Sequence, residues 1–558
     1  MIVADYIVER LIEYEVTDTF GIPGGVILRL LYSMEKYKPK IVPHLNYHEQ
    51  MAGFAACGYA QMSGKLGVAY ATRGPGITNM VTCIAEAYQE ALPVLFITAH
   101  ASSTETGKIR FEYNQELDIV NTVSDFVKYG AKIDKLDDLQ VCVNNALLSA
   151  MDGRKGPVIL DVASNLFEKE LIVKENNNEV RMDEKTYQSC DYIFSKMQKL
   201  LNSAERPIIL IGDGVRGTAS QIELIALADK LKIPIVSSRA SQDLVVSSKY
   251  YFGYIGSHGT RYSNFILIKA DLIIAVGNRL AFPAKSKSYA SIVENKTIIR
   301  IDIDKNEFYR KMDKVINFHI DAKKLIMHLS FVKKLNYNFE DWVITCNVLK
   351  NKLNKCDMLE TTKKICSFIE KQQDNSTYVC DVGNNEFLFA RAFEYMQKIN
   401  QVLYTKSYGT LGVAIGRAIG AYYASRKDIV CIIGDQGFQY NIQELNYIQK
   451  WKLPIKIILL NNCKSGMIMD HEYGICGNKL IHVDHESGYF VPDFENIVNS
   501  YGIEYTDDEQ VATKKRTIVF EIKSDKTERL IPTLPKGNLP QDMEPKLDKE
   551  LYEFLEHL

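Results

Sequence analysis

Short apolar runs of strand type recur along nearly the whole chain, with helix-type segments between them. In the first third they are LGVAYAT, PVLFITA and PVILDVA, and in the middle PIILIG, PIVSS, DLIIAVG and TIIRIDID. The last third carries TYVCDVG, DIVCIIG, PIKIILL and TIVFEI. Alternation of this kind predicts parallel sheets with crossover helices, because a parallel pair needs a long connection. The expected fold class is therefore α/β, built of three doubly wound parallel-sheet modules. Two polar stretches, Glu168 to Gln188 and Lys333 to about Lys355, break the alternation and read as a linker and a helical connector. They divide the chain into expected domains at 1–167, 190–332 and 360–558.

The 558 residues fit about three domains of ordinary size. A net charge of −2 gives no field for nucleic acid or anionic lipid. The 11 cysteines include no C-x-x-C pair, which argues against structural zinc and a disulfide framework and for a reducing, cytoplasmic setting. The opening MIVADYIVERLIEYEV reads as an amphipathic helix and lacks the regions of a signal peptide. No apolar run approaches a membrane span, so no membrane partner is expected.

Two strand-like runs end on small oxygen-bearing side chains. DIVCIIG leads into Asp435 and PIKIILL into Asn461-Asn462, and 462 − 435 = 27 residues separate the pair. Ligands of doubly wound sheets sit beyond the carboxyl ends of the strands. One anionic and one neutral oxygen ligand, with a backbone carbonyl nearby, would suit Mg²⁺, which takes its other ligands from phosphates and water. Gly437 and Gly466 would let backbone approach those phosphates. The plainer alternative is that Asp435 and Asn461 are turn or cap residues.

The G-D-x…N-N pattern resembles the thiamine diphosphate binding motif. FGIPGG (20–25), HEQMAGFAACGYAQMSGKLGVAYATRGPGITN (48–79), NQELD (114–118), GTLGVAIGRAIGA (409–421), GFQYNIQEL (437–445) and PTLPKGNLPQDMEP (532–545) fall in the order found in acetolactate synthase-like enzymes. The resemblance covers nearly the whole chain. It implies a thiamine diphosphate-binding fold, with pyrimidine and diphosphate domains flanking a central nucleotide-fold domain.

It also implies residue roles. Glu49 matches the glutamate that supports the aminopyrimidine from its N1′ atom. Leu411 matches the side chain that bends the cofactor, and the Gly409 carbonyl the acceptor for its 4′-amino group. Asp435, Asn462 and the Lys464 carbonyl match the Mg²⁺ ligands. Gly383, Asn384, Gln436, Gly437, Gly466 and Met467 match the diphosphate wall, and Gly25 joins the cofactor-binding set. Gln115 and Lys128 match active-site residues, and His471 stands where a tryptophan shapes the substrate channel. Family sites lie between two subunits, so a homodimer or homotetramer is expected, with Glu49 and Asp435 meeting across the interface.

IGDGVRG (211–217) fits a weak dinucleotide signal. In acetolactate synthases this module carries FAD, and Gly212, Gly214, His258, Gly277, Arg279 and Asp302 match its contacts. An acid-acid-arginine run of the family is LAFP (280–283) here, which removes charged contacts. Two readings stand for this module, an FAD site and a nucleotide fold that binds nothing.

The departures cluster where an acceptor would sit. Asn114 replaces a Phe, Arg73 a Ser, His471 a Trp, and Gln436 the last Gly of G-D-G. A more polar pocket suits a hydroxylated or charged acceptor, since buried polar groups must be paired. Arg73 would hold a carboxylate or phosphate, or else make an ordinary ion pair. His471 would donate a proton, or else be a solvated loop histidine. The expected reaction is decarboxylation of a 2-keto acid, pyruvate first, with transfer of the two-carbon unit to an acceptor carbonyl, a sugar-derived one included. Acetolactate synthase proper, a simple decarboxylase and a non-catalytic homologue are the alternatives.

Overall fold

The computed structural model describes residues 1–102, 114–174, 187–216, 221–280, 296–309, 314–331, 337–372, 375–475, 479–525 and 527–558. Three six-stranded sheets follow one another along the chain, and every strand pair in them is parallel. The first holds β1 (Asp18–Gly21), β2 (Val42–Leu45), β3 (Gly67–Tyr70), β4 (Val94–His100), β5 (Tyr129–Ile133) and β6 (Val158–Ala163). The second holds β7 (Pro207–Ile211), β8 (Ile235–Ser237), β9 (Tyr251–Tyr254), β10 (Leu272–Val276), β11 (Thr297–Asp302) and β12 (Val315–His319). The third holds β13 (Thr377–Cys380), β14 (Val402–Leu403), β15 (Ile429–Gly434), β16 (Ile455–Asn461), β17 (Tyr505–Thr506) and β18 (Ile518–Lys523). Central strands such as β4, β10 and β16 are buried along their whole length, as strands covered by helices on both faces must be.

The three modules are not of one build. The outer sheets share a strand order, β2-β1-β3-β4-β6-β5 and β14-β13-β15-β16-β18-β17, while the middle sheet runs β12-β11-β10-β7-β8-β9. That middle order is the dinucleotide-fold order, with its switch point between β7 and β10. Strand periodicity is the same in both orders, so sequence pattern does not distinguish them.

The first and third modules are joined by the helices Glu49–Ser63 and Ala414–Ser425. Their backbones all but touch. A Cβ on Gly420 would fall 1.8 Å from the Ala55 carbonyl oxygen, and one on Gly58 would fall 2.2 Å from that of Arg417. Arg417 is fully buried there, donating to Gln61 at 2.9 Å, to Glu90 at 2.7 Å and to Glu86. Such a buried charge is tolerated because two buried carboxylates face it. The expected helical connector is the helix Glu340–Leu353, whose Trp342 and Leu349 are buried. No helix among the described residues is long and apolar enough to cross a membrane.

Candidate active site

Glu49 opens the helix Glu49–Ser63, where an acid is favoured by the helix dipole. His48 caps that helix, its Nδ1 accepting from the Gln50 amide at 3.1 Å. One Glu49 oxygen accepts from Asn79 Nδ2 at 2.9 Å, and a Cβ on Gly76 would lie 3.5 Å from the other. Beside them Gly74 (φ +62°) lies under Gln115, and a Cβ on Gly74 would come 2.7 Å from Gln115 Cβ. Gln115 itself has φ +60°, a left-handed backbone that a non-glycine residue rarely adopts. Gly25 is exposed, with nothing within 4 Å of where a Cβ would lie. Arg73, half-buried between β3 and Gly74, makes no ion pair or hydrogen bond among the described residues. The alternative of an ordinary ion pair for Arg73 is therefore not met within those residues.

Lys128 sits at a helix end. Its ammonium donates to the Ser149 carbonyl and, at 2.7 Å, to that of Asp152. It thus caps the end of the helix Leu136–Met151, where unpaired carbonyls and the dipole favour a cation.

The second cluster sits at the carboxyl ends of β13, β15 and β16. Parallel register sets Gly434 beside Leu460, so Asp435 and Asn462 leave adjacent strands nearly level. Asp435 is 4% exposed, and burial pushes its carboxyl up to about 6. Its Oδ1 accepts from the Gln436 amide at 2.8 Å, while Oδ2 is buried with no hydrogen-bond partner. Asn462 Oδ1 accepts from the Lys464 amide at 3.1 Å, and Lys464 Nζ reaches the Glu528 carbonyl at 3.2 Å. A Cβ on Gly466 would fall 2.8 Å from Asn384 Nδ2 and 2.9 Å from Asn462 Nδ2, so the three converge. Asn384 Oδ1 is also buried and unpartnered. Gly383 (φ +115°) turns the chain into the helix that begins at Asn384. These orphaned oxygens fit a hard cation, which supplies what buried acceptors lack. Among the described residues no group of three or more His, Cys, Asp and Glu side chains offers a metal site. A single carboxylate with amide and carbonyl oxygens is the donor set that phosphate-bound Mg²⁺ uses.

Gly409 (φ +74°) and Leu411 lie on the loop before the helix Ala414–Ser425. Leu411 is half-buried and stands apart from the packed core. Met467 is half-buried, and His471 lies one turn on along the same helix face, exposed. The helix Gly466–Ile475 carries His471, so it is not a loop residue.

Three participants went unnoticed in the sequence. Asn79 holds Glu49. Asp381, fully buried at the end of β13, accepts from the amides of Gly412, Val413 and Ala414 at 2.8–3.1 Å and so fixes the Leu411 loop. Its signal was available, since TYVCD ends a strand on a carboxylate as DIVCIIGD does. Tyr489 stands beside Asp435, and no strand or helix pattern marks it.

In the middle module Gly212 and Gly214 press on Gly277 (φ +57°) across the switch point. A Cβ on Gly212 would fall 2.2 Å from the Gly277 oxygen. Between the two glycines Asp213 pairs with Lys406 at 2.5 Å and Arg216 at 2.7 Å. His258 packs on Phe387 at 4.3 Å, and burial brings its imidazole down to about 4. Asp302 accepts from the Asp304 amide at 2.9 Å and Arg279 is half-buried. The Ala281–Pro283 part of the departure lies outside the described residues. Among the described residues, the carboxylate on the loop that would face a flavin pyrophosphate is thus held by two cations of the protein.

Comparison with known proteins agrees with this geometry. Residues 1–122 match the profile described as thiamine pyrophosphate enzyme, N-terminal TPP binding domain. Residues 194–329 match its central domain, and residues 381–526 its C-terminal TPP binding domain. The chain is 30% identical to the acetolactate synthase large subunit of Lactococcus lactis, over 95% of this chain and 94% of that one. It is 30% identical to the acetolactate synthase large subunit of Cyanidium caldarium, over 94% and 90%. A probable acetolactate synthase large subunit of Methanococcus aeolicus is 29% identical over 90% and 86%. With two oxygen-rich clusters on two sheets of one strand order, the chain belongs to the thiamine pyrophosphate enzymes and is an acetolactate synthase-like, thiamine diphosphate-dependent enzyme.

Proposed function

We propose that this enzyme decarboxylates a 2-keto acid, pyruvate first, and transfers the two-carbon unit to the carbonyl of an acceptor more polar than pyruvate. The observation that carries the cofactor site is the orphaned Asp435 oxygen beside Asn462 at the ends of adjacent strands. Asp435, Asn462 and the Lys464 carbonyl would hold Mg²⁺, while Gly383, Asn384, Gln436, Gly437, Gly466 and Met467 would line the diphosphate. Gly409 and Leu411 would seat the cofactor's middle. Bound thiamine diphosphate supplies a carbon nucleophile and an electron sink for the departing carboxylate.

Glu49 would hold a proton at the aminopyrimidine, a role that contributes about 10²–10⁴-fold. By the resemblance to acetolactate synthase-like enzymes, whose sites lie between subunits, we place Glu49 of one subunit against the Asp435 cluster of another in a homodimer or larger homo-oligomer. Gln115, on its left-handed backbone, would meet the substrate, and His471 would serve the acceptor side. No step is assigned to FAD, and a cytoplasmic enzyme is the setting we infer from the scattered free cysteines.

The polar acceptor rests on Arg73, whose guanidinium is unpaired among the described residues and lies next to Gly74 and Gln115. A carboxylate or phosphate would satisfy it by a bidentate pair. A second reading, acetolactate synthase proper, is favoured by the activity named for the relatives in Lactococcus lactis and Cyanidium caldarium.

One experiment separates them. CO₂ release from pyruvate is measured with thiamine diphosphate and Mg²⁺, for the native enzyme and Glu49→Gln, and acetolactate is assayed in parallel. We expect CO₂ release that depends on Glu49, with little acetolactate until a polar carbonyl acceptor is added. Rapid acetolactate formation from pyruvate alone would establish the second reading. Equal rates for the two proteins would remove Glu49 from the mechanism.

A further inference from the structure

The loop that carries Gly409 and Leu411 has an anchor at each end, and only one of them is made within its own module. Ser407, Tyr408 and Gly409 are exposed, while Thr410 and Leu411 are half-buried. At the far end Asp381 holds the amides of Gly412, Val413 and Ala414. At the near end β14 gives little support. It is two residues long and lies at the edge of its sheet, paired to β13 at Tyr378–Val402 and Val379–Leu403. So short an edge strand does not by itself fix the chain that follows it.

The other two modules reach in to hold it. From the middle module, Asp243 accepts from the Val402 amide at 3.1 Å, and Arg239 donates to the Thr405 carbonyl at 3.3 Å. From the first, Gln61 donates to the Tyr404 carbonyl at 3.0 Å. Lys406 is held by both. Its amide donates to Glu90 Oε1 at 2.7 Å. Its ammonium donates to the Glu90 carbonyl at 3.0 Å, at the end of the helix Val81–Glu90, where a cation suits the dipole. The same ammonium pairs with Asp213 of the middle module at 2.5 Å. Burial pushes the Asp213 carboxyl up, but Lys406 and Arg216 more than offset that and keep it below its ordinary value, so the pair is ionic. Three modules thus meet on one side chain, three residues before Gly409 and five before Leu411.

We propose that Lys406 is a positioning residue for the cofactor reaction, and that its ion pair with Asp213 lets the middle module set where Gly409 and Leu411 stand. This rests on the reading of that loop as the seat of thiamine diphosphate. Lys406 acts through the loop and not on the substrate. Asp213 lies on the turn between Gly212 and Gly214, and the third module engages its carboxylate there. The pair gives the middle module a part in catalysis that needs no bound nucleotide.

Thiamine diphosphate and Mg²⁺ are titrated into the full-length enzyme, with the circular dichroism of the bound cofactor as readout, and CO₂ release from pyruvate is measured in parallel. The variants are Lys406→Met, Lys406→Arg, Asp213→Asn, Arg154→Met and Leu411→Ala, and thermal unfolding without cofactor is recorded for each. Arg154 ties the first module to the middle one elsewhere, pairing with Glu307 and, at 3.3 Å, with Asp304. Arg216 stands against both Asp213 and Asp243, so neither Lys406→Met nor Asp213→Asn leaves a buried charge alone. We expect those two variants to fold, to bind thiamine diphosphate and release CO₂ about 10-fold less well, and to alter the cofactor signal. Lys406→Arg should recover most of the loss, and Arg154→Met should behave as the native protein. Native binding and turnover in either Lys406→Met or Asp213→Asn would overturn the inference. So would an equal loss in Arg154→Met, since any loosening between modules would then suffice. Failure of both Lys406→Met and Asp213→Asn to fold would make the pair structural, against the inference. If Leu411→Ala bound and turned over as the native enzyme does, the reading of the loop would fall, and the inference with it. Loss in Leu411→Ala alone would overturn the inference and leave that reading standing.

Discussion

Asp381 and Gly437 occupy the same space to within an atom: a Cβ on Gly437 would lie 2.3 Å from Asp381 Oδ2. The glycine that follows Gln436 therefore answers to packing. It leaves room for a carboxylate that has crossed from β13 to bind the amides of Gly412, Val413 and Ala414. Burial raises that carboxyl to about 6, and the three amides oppose the rise. Gly437→Ala should push Asp381 aside and loosen the loop that carries Gly409 and Leu411. Hydrogen bonds to a charged group are worth about 1.5–3 kcal/mol each, so losing one or two should lower the unfolding temperature by several degrees. Scanning calorimetry checks the stability, and a thiamine diphosphate titration should show weaker binding. An unchanged unfolding temperature would mean that the carboxylate has another place to go.

The bond from Asn79 to Glu49 gives a second expectation. Asn79→Ala removes a neutral donor from a site open to solvent, so the fold should be almost unaffected. Glu49 then loses what fixes its orientation. We expect kcat for CO₂ release to fall about 10-fold, well short of the loss in Glu49→Gln, because the carboxylate is kept and only its placement suffers. Steady-state kinetics on both variants would order them, and Asn79→Ala slower than Glu49→Gln would contradict the assignment.

These two relationships mark the boundary of what was legible. Asp435 and Asn462 could be read because a buried strand that stops on a small oxygen-bearing residue is a local pattern. Three parallel-sheet modules followed from alternation, which is also local. Asp381 carried the same strand-end signal, but its partners lie 31 to 33 residues on, and no periodicity reports contacts at that distance. The strand order that separates the middle module from the outer two is equally invisible, since it depends on which crossover goes to which edge.

Arg73 yields a third prediction. If its guanidinium recognises an anionic group of the acceptor, Arg73→Met should raise KM for that acceptor by about 10- to 100-fold, the loss of a charge-assisted pair. CO₂ release from pyruvate alone should change little. Kinetics with a phosphorylated or carboxylated carbonyl acceptor, against a neutral one, would show the effect confined to the charged compound. An equal effect on both would assign Arg73 a structural part.

Glu444 allows a prediction about pH. It is fully buried where the third module meets the first, accepting from the Tyr47 amide at 2.7 Å and from Asn46 Nδ2 at 3.2 Å. Burial raises its carboxyl to about 7, against an ordinary value of 4.5. A folded-state value above the unfolded one means that the unfolded chain ionises first as pH rises. The contribution of Glu444 is therefore fully present below about pH 4.5 and is lost as pH climbs toward 7. Glu444→Gln mimics the protonated form. Its amide should be accommodated, because Asn46 Oδ1 is buried without a partner and an amide flip would turn it toward the new donor. At pH 5 the variant should match the native protein. At pH 8 it should be more stable by about 1–3 kcal/mol, the linked free energy of a shift of this size. Denaturant unfolding between pH 5 and 8 would show the native curve falling and the variant's flatter. Two parallel curves would mean that Glu444 is ionised in the folded protein throughout that range, and that its two donors outweigh its burial.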